Sequence, residues 1–405
     1  MIVPPGKEKW GLRLEKAIYG TKQGSFLWAE HRDKLFKEYG LQPCPHDPTW
    51  FKKDFPGNNI LMIQVHTDDG EIAADQPIVN EISKFFSWFN TKLDITTSET
   101  VGHFVGVRKE YGIGYATLDQ EEYLKSKVLP CLEIKIHPNG EPCTKQTPWD
   151  NRYNEEFDSR RDPSESEKKF ISSKNYYHVL GLLQYLGNTR GDILFTLSKL
   201  GQHSSNPRPV HWRAMQHLLA YLNGTRDTKI LLRKSGEVKP FGHSDSDWAS
   251  DSGTRRSMSG TVIMLSQAAI MASATLQKTI ADSTVAAETI ALNKLVKSAL
   301  FLRNVLSWLG YNLQTATQLF CDNLGTVRNS EEGALRHKTK HMDIQYMFLR
   351  DQVKQENVSI HHIGTDKMIA DILTKGLKWV KHNRCFEALG LIRGSVNNHI
   401  SGIKP

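Results

Sequence analysis

The sequence predicts a mixed α/β (α+β) fold, and three observations carry that expectation. Residues 241–376 read as three strands, a long helix, a strand, two helices, a strand and a last helix, an order best buried as a mixed sheet with helices on its faces. Residues 173–233 place apolar side chains at helical spacing. With 39% hydrophobic and 24% charged residues over 405 positions, the chain can bury a sizeable core divided into two or three domains.

In chain order, an apolar run from Ile60 to Val65 reads as a strand delivering Asp68 and Asp69 to a hairpin tip. The polar stretch from Asp150 to Lys169 reads as a linker or exposed loop. Tyr177, Leu180, Leu183 and Leu186, then Trp212, Met215, Leu218, Leu219 and Leu222, mark helices ended by Gly187 and Gly224. A second break runs from Lys234 to Pro240. Strands are then expected over 241–248, 258–265 and 269–277. Asp282-Ser283-Thr284 caps a long helix carrying Ile290, Leu292, Leu295, Val296, Ala299, Leu302 and Leu306. A strand ending at Cys321, a short helix, a helix from about His341, a strand over 358–363 and a helix closed by Gly376 complete the order. The expected segments are 1–148, 149–240, 241–376 and a basic tail, 377–405.

Five dispersed cysteines with no CxxC read as reduced thiols of an intracellular chain, cytoplasmic or nuclear and not secreted. The N-terminus has no leader pattern. The longest apolar stretch, 261–276, is interrupted by Ser266, Gln267, Ser273 and Thr275, which argues against a membrane span. The net charge of +8 fits a polyanionic partner. The one dense basic cluster is Arg336-His337-Lys338-Thr339-Lys340-His341, which reads either as phosphate contacts through Arg336, Lys338 and Lys340 or as a solvated helix start.

Four acids fall where strands and helices of 241–376 should meet. Asp245 is in the first strand, Glu288 one turn inside the long helix, Asp322 directly after Leu319-Phe320-Cys321, and Asp371 inside the last helix. Singly, each reads equally as a surface or capping residue, as Asp247, Asp251 and Asp282 do. Together, four carboxylates among apolar neighbours call for a divalent cation pair, the arrangement that cleaves phosphodiesters.

Several motifs carry a resemblance. Gly242-His-Ser-Asp-Ser-Asp-Trp248 resembles the GYSDADWAG of Ty1/copia-type retrotransposon Pol proteins, and Arg255 to Gly260 is similar to their RKSTSG. Ser283 to Leu292 aligns on SSTEAEYVAL, Cys321-Asp322-Asn323 on CDN, Lys338 to His341 on RTKH, and Ala370 to Lys375 on ADILTK. The resemblance implies an RNase H-like mixed five-stranded sheet with Asp245, Glu288, Asp322 and Asp371 as catalytic and metal-holding residues. It also implies two Mg²⁺, with Mn²⁺ as the alternative ion, and an RNA–DNA hybrid as partner. The family's first Glu in TEAEY is Ala286 here; the second is kept as Glu288. Cellular RNase H enzymes often place a product-releasing His near the position of His361 and His362, although strand alternation alone predicts one exposed and one buried histidine there.

The resemblance extends upstream. Lys16 to Gln23 looks like KALYGLKQ, His46-Asp47-Pro48 with Phe51 like SDPCLF, and Asn188 to Ile193 like NTRPDI. It places 1–148 on a truncated reverse transcriptase palm and thumb, with 149–240 as linker and helical connection. Gln64 to Asp69 falls on the YVDD box, making Asp68 and Asp69 vestigial polymerase metal ligands and Lys22 and Gln23 template or nucleotide contacts. His66 in place of Tyr, Gly70-Glu71 in the returning strand, and no upstream acid in the context of a third catalytic aspartate imply that this chain alone does not polymerise DNA. The leading expectation is a Pol fragment that cleaves RNA in RNA–DNA hybrids. The alternatives are a decayed chain that only binds nucleic acid and a piece of a full copia-type reverse transcriptase.

Overall fold

The computed structural model describes residues 18, 20–98, 102–134, 136, 141–234, 237–331 and 343–399. The chain divides into two compact units, Met1–Thr100 with Trp308–Gly310, and Val101–Ser307 with Tyr311–Pro405.

In the first unit, helix α1 (Lys22–Tyr39) starts where Thr21 Oγ1 accepts the Gly24 amide at 3.0 Å and ends at Gly40, whose φ of +94° only glycine adopts readily. Strands β1 (Gln42–Pro43), β2 (Trp50–Phe55), β3 (Asn59–His66) and β4 (Asp69–Ala74) form an antiparallel sheet in chain order, followed by α2 (Asn80–Phe89). Phe36, Phe51, Leu61, Ile63, Phe85 and Phe89 build its core. The Asp68–Asp69 hairpin forms in full around a two-residue loop. Gly70 pairs with Val65 and Glu71 with Gln64, so both residues stand within the returning strand's ladder. β4 is an edge strand, where a glycine and a charge are tolerated.

The second unit opens with β5 (His103–Phe104), β6 (Val107–Gly112), β7 (Tyr115–Asp119) and a short α3 (Glu121–Tyr123). Helices α4 (Asn154–Asp158), α5 (Glu165–Ser172), α6 (Tyr176–Leu186), α7 (Leu194–Gly201) and α8 (Pro209–Gly224) follow, then β8 (Lys229–Arg233). The remaining elements are β9 (Phe241–Asp247), β10 (Met258–Leu265), β11 (Ala268–Leu276), α9 (Thr284–Trp308), β12 (Thr317–Cys321), α10 (Leu324–Glu331), α11 (Asp343–Lys354), β13 (Val358–His362), α12 (Trp379–Ala388) and β14 (Leu391–Ile392). The expected sheet is present as β11-β10-β9-β12-β13, antiparallel through β11-β10-β9 and parallel through β9-β12-β13. Alternation along β10 sends Ile263 toward Leu292, Leu295 and Val296 of α9, and Val262 toward Ala370, Ile372, Leu373 and Phe386. Ser283 caps α9 as predicted, its Oγ accepting the Ala286 amide at 3.2 Å.

Four expectations need correction. The stretch 150–169 is no bare linker: it contains α4 and the start of α5, and Phe157 and Asp158 are buried. Residues 229–233, read as helical, are a strand, because Leu231 and its neighbours pair with β7 and β14. Over its described residues, 377–399, the C-terminal segment is not a free tail: Cys385, Phe386, Leu389 and Leu391 are buried in the core beneath the sheet. Asp371 sits in a tight 3-10 turn, Ile369–Leu373, not in a regular helix. The division of the chain at 100/101 precedes the polar run because β5–β7 join a second five-stranded sheet, β14-β8-β7-β6-β5.

Candidate active site

Adjacent parallel strands set the site. Ser244 of β9 stands opposite Cys321 of β12, so Asp245, still within β9, and Asp322, the residue after β12, are neighbours one residue further along each chain. Helix α9 brings Glu288 over one face. The 369–373 turn brings Asp371 from the other, packed so closely on β10 that a Cβ on Gly260 would lie 2.8 Å from Leu373 Cβ and Thr374 Cγ2. The structure therefore brings all four predicted acids to one sheet edge. Asp245, Glu288 and Asp371 are buried; Asp322 is half-buried.

Each carboxylate has a specific environment. The Ser246 amide donates to Glu288 Oε1 at 3.1 Å, and the Cys321 thiol lies 3.7 Å from Oε2. Thr365 Oγ1 donates to Asp322 Oδ2 at 3.1 Å. Thr374 donates its hydroxyl to Asp245. Lys375 Nζ lies 2.6 Å from Asp371 Oδ1 and 3.4 Å from Asp245 Oδ2, and Lys381 pairs with the other Asp371 oxygen. Burial first, then the Asp245 and Asp322 charges, pushes the Glu288 carboxyl up to about 9. Burial also pushes Asp245 up, against the pull of Lys375 and with Asp371 adding to the rise.

These residues fit a divalent cation. Ligand-capable atoms of Glu288, Cys321 and Asp322 lie within 4.8 Å of one another. Carboxylate oxygens suit Mg²⁺ or Mn²⁺. Burial, then repulsion among the acids, raises the Glu288 and Asp245 carboxyls, a cost that a bound cation would relieve. Burial pushes the Cys321 thiol up, so it stays protonated and is no ligand for a hard cation.

The other predicted residues are scattered. Asp68 and Asp69 are exposed at a hairpin tip held by Trp28 Nε1, which donates to Thr67 O at 2.8 Å. Among the described residues they join no group able to hold an ion. Lys22 and Gln23 are exposed in the first turn of α1. Arg336, Lys338 and Lys340 lie outside the described residues. His361 and His362 are both exposed, not alternating, because β13 is the sheet's edge. His362 Nε2 lies 3.2 Å from Asp322 O, beside the acids. Ala286 packs with Ala281, Ala287 and Tyr346, an apolar position costly for a carboxylate. Asp247, read as a turn residue, ends β9 and lines a cleft beside the acids.

Sequence reading missed Thr374, Lys375 and Lys381 as site residues. The first two stand within the ADILTK-like motif and sat in view. Lys381 lies ten positions beyond Asp371, and only the docking of α12 brings it back.

Residues 3–141 match the family model described as reverse transcriptase (RNA-dependent DNA polymerase). The chain is 28% identical over 95% of its length to the retrovirus-related Pol polyprotein from transposon TNT 1-94 of Nicotiana tabacum, covering 28% of that protein. It is 25% identical over 90% of its length to a truncated transposon Ty1-A Gag-Pol polyprotein of Saccharomyces cerevisiae, covering 31% of it. It thus spans between about a fifth and a third of the curated relatives it matches. Among solved structures, an RNase H1 isolated from compost by a metagenomic approach is similar over 34% of this chain and 92% of its own, at 17% identity and a TM-score of 0.28. Among the described residues, no helix is long and apolar enough to cross a membrane. By sequence, over nearly all of its length, this chain is similar to the Pol polyproteins of Ty1/copia-type retrotransposons.

Proposed function

We propose that the chain cleaves the RNA strand of an RNA–DNA hybrid by metal-dependent hydrolysis at Asp245, Glu288, Asp322 and Asp371. The observation that carries this reading is the convergence of four carboxylates, from within β9, the end of β12, a helix and a tight turn. The chemistry two bound Mg²⁺ ions supply is activation of water and stabilisation of the leaving oxygen, giving a 3′-hydroxyl and a 5′-phosphate; Mn²⁺ is the alternative ion. The protein's part is to fix the acids. Asp245 is held by Thr374, Glu288 by the Ser246 amide, and Asp322 by Thr365. Recognition of a hybrid rests on backbone shape and 2′-hydroxyls with little base readout.

The reverse transcriptase-like first unit is read as vestigial: Asp68 and Asp69 stand exposed, without a third acid gathered to them among the described residues. A second reading, a chain that binds nucleic acid without cutting it, is favoured by the ion pairs that Lys375 and Lys381 make with Asp371. Incubating the full chain with labelled hybrid, Mg²⁺ and unlabelled competitor single strands separates the two. Cleavage confined to the RNA strand supports the first reading, and retention of intact hybrid supports the second.

A further inference from the structure

Two buried carboxylate systems in the second unit differ in how they are neutralised. Asp192 is gripped by the Arg190 fork at 2.9 and 2.7 Å and by the Tyr221 hydroxyl at 2.6 Å, all three side chains being buried. That is a fixed network. Asp371 is equally buried, yet neither oxygen accepts a hydrogen bond from a backbone amide or a hydroxyl. Its counter-charges are two ammonium groups on long stems, Lys375 and Lys381, whose side chains remain 34% and 30% exposed. An ammonium is a compact charge with no fork to match a carboxylate, and it leaves one easily. Lys375 also reaches Asp245 at 3.4 Å, so one ammonium spans two of the four acids.

The stems have somewhere to go. A cleft of about 550 Å³ adjoins the acids, lined by Lys375, Lys378, Lys381 and Lys199, by Asn151 and Asn154, and by the carboxylates Asp158 and Asp247. Lys378 is exposed and has no ion pair among the described residues. Lys199 is committed to Asp158. With Asp158 paired to Lys199, the cleft keeps three lysines against one remaining carboxylate, Asp247, an excess of positive charge that takes a phosphodiester oxygen.

We propose that Lys375 and Lys381 are exchangeable counter-cations: they compete with a divalent cation for Asp371 and Asp245 and, when displaced, turn into the adjoining cleft to hold a backbone phosphate of the nucleic acid. This rests on the proposed metal-dependent cleavage. An ammonium and a divalent ion compete for the same carboxylates, because the like charges repel at contact distance. Cation binding and nucleic-acid binding therefore reinforce one another.

The test is calorimetric titration of Mn²⁺ into the full chain and into Lys375→Met, Lys375→Arg and Lys378→Met, without substrate. Removal of the competing charge in Lys375→Met tightens Mn²⁺ binding by about tenfold or more. Lys375→Arg keeps a charge and adds a fork, and binds Mn²⁺ no more tightly than the parent. Lys378→Met leaves Mn²⁺ affinity unchanged. Affinity for a labelled RNA–DNA hybrid, measured with Ca²⁺ in place of Mg²⁺, falls in both methionine variants. The dependence of that affinity on Ca²⁺ shrinks in Lys375→Met alone. Equal or weaker Mn²⁺ binding by Lys375→Met, with Lys375→Arg behaving as the parent, overturns the role of the lysine alone. Failure of the parent chain to bind Mn²⁺ at all, matched by Asp322→Asn, overturns the metal-dependent reading as well.

Discussion

Glu288→Gln is expected to make the protein more stable while disabling the site. The glutamine keeps the shape, and its carbonyl oxygen still accepts the Ser246 amide. What it removes is a buried ionisable group whose folded pKa is raised from 4.5 to about 9. The folded chain holds this proton between those values and the unfolded chain does not, so the parent loses stability as pH rises through that window. Each pH unit costs about 1.4 kcal/mol, and at pH 7 only the interval above 4.5 counts, giving roughly 3 kcal/mol. In EDTA the variant should therefore exceed the parent by about that amount at pH 7 and match it below the ordinary Glu value. Hydrogen exchange at amides of β9 and α9 reads this locally, as opening rates roughly a hundredfold slower in the variant at pH 7. A variant that exchanges as fast as the parent at pH 7, or faster, refutes the claim that Glu288 is held protonated by burial and its acidic neighbours.

Other outcomes follow from the same geometry. Gly260→Ala forces a Cβ against the Asp371 turn at 2.8 Å and should cost about 1–3 kcal/mol in thermal unfolding; it should also lower cleavage, because Thr374, which donates to Asp245, is one of the atoms displaced. Arg190→Met leaves Asp192 buried without its cation and should cost about 3–5 kcal/mol, read as a lowered urea midpoint. Burial pushes the Asp192 carboxyl up, but the Arg190 charge holds it below its ordinary value. The parent should accordingly lose this contribution as pH falls below the ordinary Asp value, and Arg190→Met should flatten that acid limb. Primer extension on an RNA template by the full chain should give no incorporation, in keeping with Asp68 and Asp69 standing apart from other ion-holding groups among the described residues; labelled nucleotide in the product overturns the vestigial reading.

The sheet that carries the site was legible because run lengths and caps agree: three short runs of strand length become β9, β10 and β11, Ser283 caps α9, and apolar Leu319 to Cys321 ends at Asp322. Asp245, Glu288 and Asp322 were legible for the same reason, since strand positions and a helix stripe fix where side chains point. The Asp371 segment was misread as helix because its apolar neighbours, Ala370, Ile372 and Leu373, suit either a helix or a tight turn. Only packing on Gly260 and α12 selects the turn. The basic charge of 377–405 hid a helix whose other side is Cys385 and Phe386, buried under the sheet. The buried Asp158–Lys199 pair was illegible for a related reason: a charged run reads as solvent-facing until its partner, 41 residues away, is known.

The docking of α12 and the burial of Met258 among the α6–α8 helices tie the sheet to residues before 241, so the decisive measurement uses the full chain and not a fragment beginning near residue 236. A labelled RNA–DNA hybrid is incubated with Mg²⁺ and the purified chain, beside Asp322→Asn folded to the same circular dichroism. Cleavage of the RNA strand to 3′-hydroxyl ends, abolished in Asp322→Asn and by EDTA, is the result the account predicts. Intact hybrid with the parent chain, or equal cleavage by both proteins, contradicts it.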